Sequence, residues 1–323
     1  MDIFSPRKST LKSNINIARA FRYSLAMNLC SKSRIYELLP IVARINPDQN
    51  RLLDLMSGNG FISQYFGNAF LSVDALDKTT KFYVGSKNTN HVLKCDAADE
   101  CIVSKVSKKY DHIISLSGLH HLLPCASSNI ESHDTMIDYR TQCLTRWKSL
   151  LSDRGRLIIV DVPSIHQVSW DFFPYAPAST FPLIENALQS VGYFEENTFI
   201  SVDPKPTLFF DQFVDQNSIT PHTAHFETES SLSLMLESAG YSNIQAATFF
   251  TPWIFDNTCQ AIWFFHQLFG IGMKTYHTPD EIPQDLTSDI LTAIRKFLGC
   301  GYTETGKFWV GWKLFYLSGD QSL

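Results

Sequence analysis

One stretch of the chain carries the residue types of a ligand-binding loop. Residues 51–66 read RLLDLMSGNGFISQYF, so that an apolar run ends at Asp54 and Ser57, Gly58 and Gly60 follow. Glycines let a ligand approach the backbone closely, and the free N–H groups of a helix N-terminus bind negative or polar atoms. The spacing predicts such a loop between a strand and a helix. A tight turn with a purely structural role explains the glycine pair equally well.

The loop departs from the dinucleotide-binding fingerprint G-x-G-x-x-G. The third glycine of that fingerprint packs the helix against the strand, and Ser63 takes its place here. This difference counts against a nicotinamide-dependent dehydrogenase.

Two acidic residues follow the next apolar runs. LSVDALDKT has Asp77 at the end of its apolar part and Lys78 after it, and HVLKCDAAD has Asp96 followed by Ala97. A carboxylate at such a position can accept hydrogen bonds from the polar groups of a ligand. Asp74 is the alternative in the first run, and either carboxylate can instead cap the helix that follows.

Three histidines are candidates for a general base. His120 and His121 follow the run YDHIISL, and His166 follows GRLIIVDVP. Adjacent residues point in different directions, so at most one of His120 and His121 is expected to face a substrate. A structural hydrogen bond is at least as plausible a role for either of them.

No metal site is predicted. His222, His225 and Asp211 lie in one region of the chain, but their spacing matches no established ligand pattern. The seven cysteines form no CxxC pair, which indicates reduced thiols and neither a zinc site nor a disulfide framework.

The elements that must position these residues alternate along the chain. Short apolar runs predict strands, and mixed segments such as TMIDYRTQCLTRWKSLL have the period of helices; the runs are RLLDLM, FLSVDAL, HVLKC, YDHIISL and GRLIIVDV. This alternation predicts a parallel sheet covered on both faces, with ligands bound at the carboxyl ends of the strands. Residues 15–46 read as helical, with Pro40 in the first turn of a second helix.

The alternation stops after Pro163 and returns with ETESSLSLMLESAGYSNIQAATFF, a helix ending at Gly240 and then a strand. A second interruption begins at Pro252 and reads as helical and strongly aromatic. KFWVGWKLFYLSG then reads as one long final strand.

The ordered series of motifs resembles the class I S-adenosylmethionine-dependent methyltransferases. LLDLMSGNG is similar to the first motif of that family, LSVDALDKT to its second strand, HVLKCDAAD to its third and YDHIISLSGLHHL to its fourth. LLSDRGRLIIVDVP resembles the segment through the fifth strand, and FWVGWKLFYLSG resembles the last, antiparallel strand. The resemblance covers residues 44–163, 226–251 and 306–318.

The resemblance implies an α/β, Rossmann-like, doubly wound fold. We expect a seven-stranded, mostly parallel sheet with an antiparallel edge hairpin, an N-terminal helical extension and helical, aromatic cap insertions. The expected boundaries are 1–43 for the extension, 44–163 for the core, 164–225 for the first cap insertion, 226–251 for the continued core, 252–305 for the second cap insertion and 306–323 for the final core strand and tail.

The resemblance also implies S-adenosyl-L-methionine as the cofactor. Asp77 would bind the ribose, Asp96 the adenine amine and the backbone near Gly58 the methionine carboxylate, while Asp54 would face the sulfonium. The full expected cofactor-binding set is Asp54, Met56, Ser57, Gly58, Gly60, Asp77, Lys78, Asp96, Ala97 and Ser115. The expected catalytic candidates are His120, His121 and His166, without a metal.

Met56 is a departure from the family, many members of which have glycine at this position. Its side chain predicts an ordinary backbone conformation there. The departure leaves room for a relative that keeps the cofactor pocket but catalyses another reaction, such as a cyclisation.

Composition narrows the class of partner. The net charge is −5, and no run of five like charges occurs, which argues against nucleic acid as the main partner. No apolar stretch reaches the length of about 18 residues that a membrane span needs, and the N-terminus lacks a secretory signal. With reduced cysteines, these features predict a cytoplasmic protein.

The two cap insertions are rich in aromatic residues: Trp170, Phe172, Phe173, Tyr175, Phe181, Phe209, Phe210, Phe213, Trp253, Phe255, Trp263, Phe264, Phe265 and Phe269. So much aromatic surface indicates a bulky apolar or aromatic small-molecule acceptor, and it could also serve a homodimer contact. The leading hypothesis is a small-molecule methyltransferase of secondary metabolism, with O-methylation first and N- or C-methylation open. The alternatives are a cofactor-binding enzyme of another reaction, an RNA or protein methyltransferase, and a non-catalytic binding partner.

Overall fold

The computed structural model describes residues 6–45, 51–70, 72–81, 83–85, 87, 89–124, 133–164, 204–219 and 224–321, with the backbone alone at 6–17 and 133. The described strands are β1 (Arg51–Leu55), β2 (Ser72–Asp77), β3 (Thr89–Lys94), β4 (Tyr110–Leu116), β5 (Leu151–Asp161), β6 (Tyr241–Phe250), β7 (Trp253–Phe255), β8 (Cys300–Tyr302), β9 (Phe308–Val310) and β10 (Lys313–Gln321).

Seven of these strands form one sheet in the order β3-β2-β1-β4-β5-β10-β6. Strands β1 to β5 pair in parallel, and β10 runs antiparallel to both of its neighbours. This order confirms the predicted Rossmann-like, doubly wound α/β fold. The antiparallel strand lies one position in from the edge, and β6 is outermost.

The described helices are α1 (Pro6–Leu29), α2 (Leu39–Val42), α3 (Phe61–Phe66), α4 (Ile102–Lys105), α5 (His133–Lys148), α6 (Pro206–Phe209), α7 (Asp215–Asn217), α8 (Glu229–Ser238), α9 (Thr258–Leu268) and α10 (Gln284–Phe297). Short 3-10 helices span Ser31–Leu38, Leu119–His121 and Pro279–Glu281, and a π-helix spans Phe210–Val214. None of these helices is long and apolar enough to cross a membrane. Pro40 lies in the first turn of α2, as predicted.

The prediction of one long final strand is wrong. β9 belongs to a second, three-stranded sheet in the order β7-β9-β8, and β10 starts only at Lys313. The chain breaks between them because the Gly311 N–H donates to the Gly299 carbonyl, 2.9 Å away, instead of continuing the ladder. A side chain at Gly311 would collide with the carbonyl oxygen of Leu298, so the break depends on glycine.

Residues 252–305, predicted as helical, contain β7 and β8 of this small sheet as well as α9 and α10. Their aromatic side chains are buried: Trp253, Phe255, Trp263, Phe264, Phe265 and Phe269 are at most 6% exposed. Phe209, Phe210 and Phe213 are buried as well. These residues fill the core of the chain, so they do not provide the exposed aromatic surface considered from the sequence for a homodimer contact. Residues 170–181, which carry the other aromatic residues, lie outside the described part.

A buried arginine fastens α1 to the second insertion. Arg22 Nη2 donates to the carbonyl oxygens of His266 (2.7 Å) and Ile271 (2.8 Å), and Nη1 donates to that of Gly272 (2.8 Å). Arg22 Nε donates to the Gln267 side chain at 3.0 Å. These acceptors lie at the C-terminal end of α9, where unpaired carbonyls and the helix dipole favour a cation. The N-terminal extension is therefore an integral part of the fold.

The His266 side chain beside Arg22 makes this junction sensitive to pH. Burial, together with the Arg22 charge, lowers the pKa of His266 to about 3. In the unfolded chain a histidine takes up a proton below about pH 6.5. The folded state stays neutral in this window, so the free energy of unfolding falls by up to about 1.4 kcal/mol per pH unit as the pH decreases from 6.5 to 3.

We predict that His266→Gln flattens this dependence. Urea unfolding at a series of pH values from 7 to 4 should show that the wild type loses up to about 3 kcal/mol more stability than the variant. Every other titrating group is common to the two proteins and cancels in the difference. Parallel curves for the two proteins would contradict the role given to His266.

Candidate functional site

A cavity of about 780 Å³ lies at the carboxyl ends of β1, β2, β3 and β4. Three parts of the chain form its wall. The loops after these strands contribute Met56, Gly58, Asp77, Asp96 and Gly118; α1 contributes Arg19, Ala20 and Tyr23; and the second insertion contributes Trp253, Leu268 and Phe269. The strand ends contribute the carboxylates of the wall, and other parts of the chain contribute a cluster of aromatic side chains, which forms its aromatic side.

The glycine loop after β1 is held by backbone hydrogen bonds. The Ser57 N–H donates to the Leu76 carbonyl (3.0 Å), and the Gly60 N–H donates to the Ser57 carbonyl (2.8 Å). Gly58 and Gly60 have φ angles of +56° and +86°, which glycine adopts without strain. Gly58 lines the cavity, and its N–H donates to Asp77 Oδ2 at 2.9 Å.

Met56 does not have the ordinary backbone conformation that its side chain predicts. Its φ is +58°, a left-handed conformation that costs a non-glycine residue about 1–3 kcal/mol. The loop path requires this angle, and Gly118 leaves room for the side chain that results. A Cβ at Gly118 would lie 2.9 Å from the Cβ of Met56. Met56 therefore occupies space that a side chain at position 118 would otherwise fill, and it lines the cavity.

Gly60 does not line the cavity, in contrast to the role expected for it. The segment after β2 packs on it: the N–H groups of Val84 and Gly85 donate to the Asn59 carbonyl at 2.9 and 3.1 Å. A Cβ at Gly60 would lie 2.5 Å from Tyr83 Cε2 and 2.7 Å from Gly85 Cα. Glycine is needed here for the packing of two backbone segments.

Asp54 is also not at the cavity surface. Its carboxylate is buried, and Oδ2 accepts hydrogen bonds from the Ser63 N–H (3.0 Å) and hydroxyl (2.7 Å). Burial raises the pKa of Asp54 to about 7, although the Ser63 hydrogen bonds act in the opposite direction. Asp54 thus fixes the start of α3 beneath the loop and does not line the cavity. The serine that replaces the third glycine is its partner.

Asp77, at the end of β2, has the position expected of a ligand-binding carboxylate. It lines the cavity; Oδ1 accepts from the Thr79 N–H at 2.9 Å, while Oδ2 accepts from Gly58. Burial raises the pKa of Asp77. The alternative, Asp74, is buried in the sheet and accepts from the Tyr110 hydroxyl at 2.8 Å. Lys78 also lines the cavity.

Asp96 and Ala97 line the cavity after β3. The Asp96 carboxylate is exposed, and its Oδ1 accepts from the Ala98 N–H at 3.0 Å. The Ala97 carbonyl accepts from the Trp147 indole at 2.8 Å, which fixes this turn against α5. Apolar residues continue the wall beside the turn, namely Ala98, Leu122, Leu123, Pro124 and Tyr139.

Two serines expected at the cofactor site lie beneath the cavity surface. The hydroxyls of Ser57 and Ser115 are buried and have no hydrogen-bond partner among the described residues. Neither serine belongs to the cavity wall.

His120 forms an ordered pair with Asp161 at the end of β5. His120 Nδ1 lies 2.5 Å from Asp161 Oδ1, and the His120 backbone N–H donates to Oδ2 at 3.1 Å. Burial favours a raised pKa at Asp161, but the charge that His120 carries when protonated, its hydrogen bonds and the Val162 N–H lower that pKa on balance. Because Asp161 is a carboxylate acceptor, the proton belongs on Nδ1. Nε2 is then the nitrogen that can accept a proton.

Both adjacent histidines line the cavity. His120 and His121 lie in the 3-10 helix Leu119–His121, with ring centroids 4.0 Å apart. A helical turn, unlike a strand, does not send neighbours to opposite faces. His166 and His222 lie outside the described residues.

A buried ion pair that no local pattern indicates supports the His120 turn. Arg140 Nη1 donates to Glu227 at 3.0 Å, and Nη2 donates to the Leu119 carbonyl at 3.3 Å. Arg140 Nη2 also donates to the carbonyl of His225, whose N–H donates to the His120 carbonyl at 2.9 Å. Arg140 and Glu227 are far apart in sequence, so only the fold joins them.

No metal centre is found in the described part of the chain, where no three His, Cys, Asp or Glu side chains are grouped to hold an ion. His225 Nε2 lies 3.2 Å from Glu227. Asp211 is exposed on the π-helix.

The aromatic side of the cavity consists of four side chains: Phe210, Trp253, Phe269 and Trp312. Trp253 and Trp312 stack with centroids 4.2 Å apart, and Phe269 stacks on Trp312 at 6.1 Å. Arg34 also lines the cavity, with its guanidinium 5.1 Å from the Trp253 ring. Arg34 is paired with Glu37 at 2.6 Å, so its charge is compensated.

The solved structures that are similar to this chain have low sequence identity with it. No family model and no curated protein matches the chain. A SAM-dependent methyltransferase from Archaeoglobus fulgidus is 13% identical, with 90% of this chain and 92% of that chain covered and a TM-score of 0.44.

Two further solved structures are similar to the same degree. The phosphoethanolamine N-methyltransferase 2 of Haemonchus contortus, in complex with phosphomonomethylethanolamine and S-adenosylhomocysteine, is 11% identical over 94% of this chain and 57% of that chain, with a TM-score of 0.48. The magnesium protoporphyrin IX methyltransferase of Synechocystis, with bound S-adenosylhomocysteine, is 14% identical over 92% and 85%, with a TM-score of 0.42. Each of these TM-scores is below 0.5, and a functional assignment must therefore come from this chain's own residues.

The contacts around Gly60 lead to a stability prediction. Gly60→Ala should destabilise the protein more than Gly306→Ala, although both glycines have similar φ angles of +86° and +78°. A Cβ at Gly306 meets nothing within 4 Å, so that variant shows the backbone cost alone, about 1–2 kcal/mol. Gly60→Ala adds the collision with Gly85, about 1–3 kcal/mol more. Urea unfolding measures both, and equal losses would show that the packing on Gly60 is unimportant.

Proposed function

We propose that this chain is an S-adenosylmethionine-dependent methyltransferase that acts on a bulky aromatic or apolar small molecule. The observation that carries the proposal is the composition of the single cavity described above. Asp77, Asp96 and Gly58 line it together with an aromatic cluster, and His120, which is held by Asp161, lines the same cavity. A cofactor and an acceptor could therefore meet beside a base.

The donor set fits this cofactor. Asp77 retains acceptor capacity beyond the N–H groups of Gly58 and Thr79 and would accept hydrogen bonds from the two ribose hydroxyls. Asp96 would accept from the adenine amine, and the apolar turn of Ala97 and Ala98 would pack on the purine ring. The loop at Gly58 would hold the methionine part.

When bound, S-adenosylmethionine supplies a methyl group on a positively charged sulfur, which leaves as a neutral thioether. His120 Nε2 would take the proton of an acceptor hydroxyl as the new O–C bond forms. Asp161 would hold the His120 ring in the required tautomer and stabilise the imidazolium. The aromatic wall would orient the acceptor and exclude water.

O-methylation is proposed first because the candidate base is a histidine held by a carboxylate, which suits proton removal from a hydroxyl. The acceptor would be a small molecule, since the net charge of −5 provides no basic surface for RNA. A role in secondary metabolism and a cytoplasmic location are part of the proposal.

A second candidate function keeps the cofactor and changes the reaction. Met56, strained at φ +58°, lines the cavity where many methyltransferases have glycine. A cyclisation or similar rearrangement in the aromatic cavity would form product without S-adenosylhomocysteine. Measuring S-adenosylhomocysteine beside product distinguishes the two reactions.

We predict that Asp77→Ala weakens the binding of S-adenosylmethionine by about 10- to 100-fold, because hydrogen bonds to a charged carboxylate are lost. Isothermal titration calorimetry on the pure protein measures the change. Asp153→Ala is the matched control, since Asp153 is exposed in the amino-terminal part of β5. Absence of S-adenosylmethionine binding by the wild type, or unchanged affinity in Asp77→Ala, would contradict the cofactor assignment.

We further predict that His120→Gln lowers kcat by about 100- to 10,000-fold, the range for loss of a general base. Asp161→Asn should also lower kcat, because the ring would lose its preferred tautomer. Transfer of labelled methyl from S-adenosylmethionine to a panel of phenols and naphthols measures the rate.

The affinity of both variants for S-adenosylmethionine should stay within about threefold of the wild type, a change below 1 kcal/mol. Neither side chain is assigned a contact with the cofactor. His277→Gln is the control, because His277 is exposed and lies far from His120 in the sequence. A larger loss in His121→Gln than in His120→Gln would show that the base is assigned to the wrong histidine.

A further inference from the structure

The aromatic side of the cavity contains a cation that forms no ion pair with a carboxylate of the described residues. Arg19 of α1 lines the cavity, and no ion pair with it occurs among the residues that the structure describes. Its Nη1 donates to the carbonyl oxygens of Leu268 and Gln267, at the C-terminus of α9. Arg34, by contrast, is neutralised by Glu37.

Arg19 belongs to the acceptor side of the cavity. It lies four residues, or about 6 Å along the helix axis, before Tyr23. Tyr23 lies beside the glycine loop, since a Cβ at Gly58 would lie 3.4 Å from its hydroxyl. Arg19 bonds instead to the carbonyl of Leu268, whose neighbour Phe269 is part of the aromatic wall.

A continuous row of rings connects this cation with the candidate base. His120 stacks on Phe226 at 5.3 Å, Phe226 stacks on Phe210 at 5.4 Å, and Phe210 meets Phe269 edge to face at 5.3 Å. Three ring contacts therefore separate His120 from Phe269. A ligand that reached both His120 and Arg19 would be elongated and would present flat apolar surface to the wall.

The charges on this side favour an anion over a cation. Aromatic walls alone could bind an ammonium group through cation–π contacts. Arg19 would repel an ammonium group, and the carboxylates of the cavity wall, Asp77 and Asp96, belong to the loops after β2 and β3. Arginine is also well suited to a carboxylate, which it binds through two parallel hydrogen bonds.

We propose that the acceptor is an elongated aromatic carboxylic acid, with its carboxylate at Arg19 and its hydroxyl at the opposite end of the ring system, near His120. This inference rests on the proposed methyltransferase function and specifies the substrate class of the same cavity. Arg19 is then a specificity-determining residue that contacts the acceptor and not the cofactor.

The test compares an acid with its uncharged ester on the same ring. Wild-type protein saturated with S-adenosylhomocysteine is titrated with 6-hydroxy-2-naphthoate and with its methyl ester, and binding is followed by calorimetry. The acid should bind at least about tenfold more tightly, the usual effect of a charged hydrogen bond. Arg19→Gln should abolish this preference and leave the affinity for the ester unchanged. Arg19→Lys, which keeps the charge, should restore part of the preference.

Arg154→Gln is the matched control, because Arg154 is exposed in the amino-terminal part of β5, far from the carboxyl ends of the strands. The affinity of each variant for S-adenosylhomocysteine reports whether the cavity is intact. Failure of the wild type to bind S-adenosylhomocysteine would overturn the proposed function itself.

Three other results would overturn only the assignment of the acceptor. In the first two, S-adenosylhomocysteine binds normally, but the protein either shows no preference for the acid over the ester or binds neither probe. In the third, Arg19→Gln weakens S-adenosylhomocysteine binding and retains the preference for the acid. The last result would assign Arg19 to the cofactor.

Discussion

The hydrogen bond from the Gly58 N–H to Asp77 is the contact on which the geometry of the cavity depends. It joins the loop after β1 to the end of β2, and it holds a carboxylate at the cavity surface in a defined orientation. The loop can take this path because Asp54 is buried beneath it and fixes the start of α3 through Ser63. Two aspartates at the ends of adjacent strands thus have different tasks. One supports the loop, and the other lines the cavity.

The other half of the cavity is built by parts of the chain outside the parallel strands. Arg22 fastens α1 to the end of α9, and the buried pair of Arg34 and Glu37 continues this contact to Trp253, whose indole donates to Glu37 at 2.6 Å. A cation and a carboxylate of one short helix are therefore locked to an aromatic ring that lies 216 residues from the carboxylate in the sequence. This locking closes the cavity over the carboxyl ends of the strands and gives it an aromatic side with a positive charge at Arg19.

The sequence was sufficient to predict the parallel strands of the sheet and the acidic residues that line the cavity at the ends of β2 and β3. Strand periodicity and an acid at the end of a strand are both local signals. The sequence was insufficient where long-range packing decides the outcome. Gly60 serves a neighbouring backbone segment, and Met56 adopts a left-handed angle that the loop imposes and Gly118 accommodates. Arg140 and Glu227 pair only in the folded chain. The local sequence around each of these residues does not indicate such partners.

The most direct test of the central claim is a crystal structure of the protein in complex with S-adenosylhomocysteine. The account predicts the ribose hydroxyls within hydrogen-bond distance of Asp77, the adenine amine at Asp96, and the sulfur facing the side of the cavity that carries His120. A nucleotide bound with its adenine between Phe269 and Arg19, or a cavity that remains empty at saturating ligand, would contradict it.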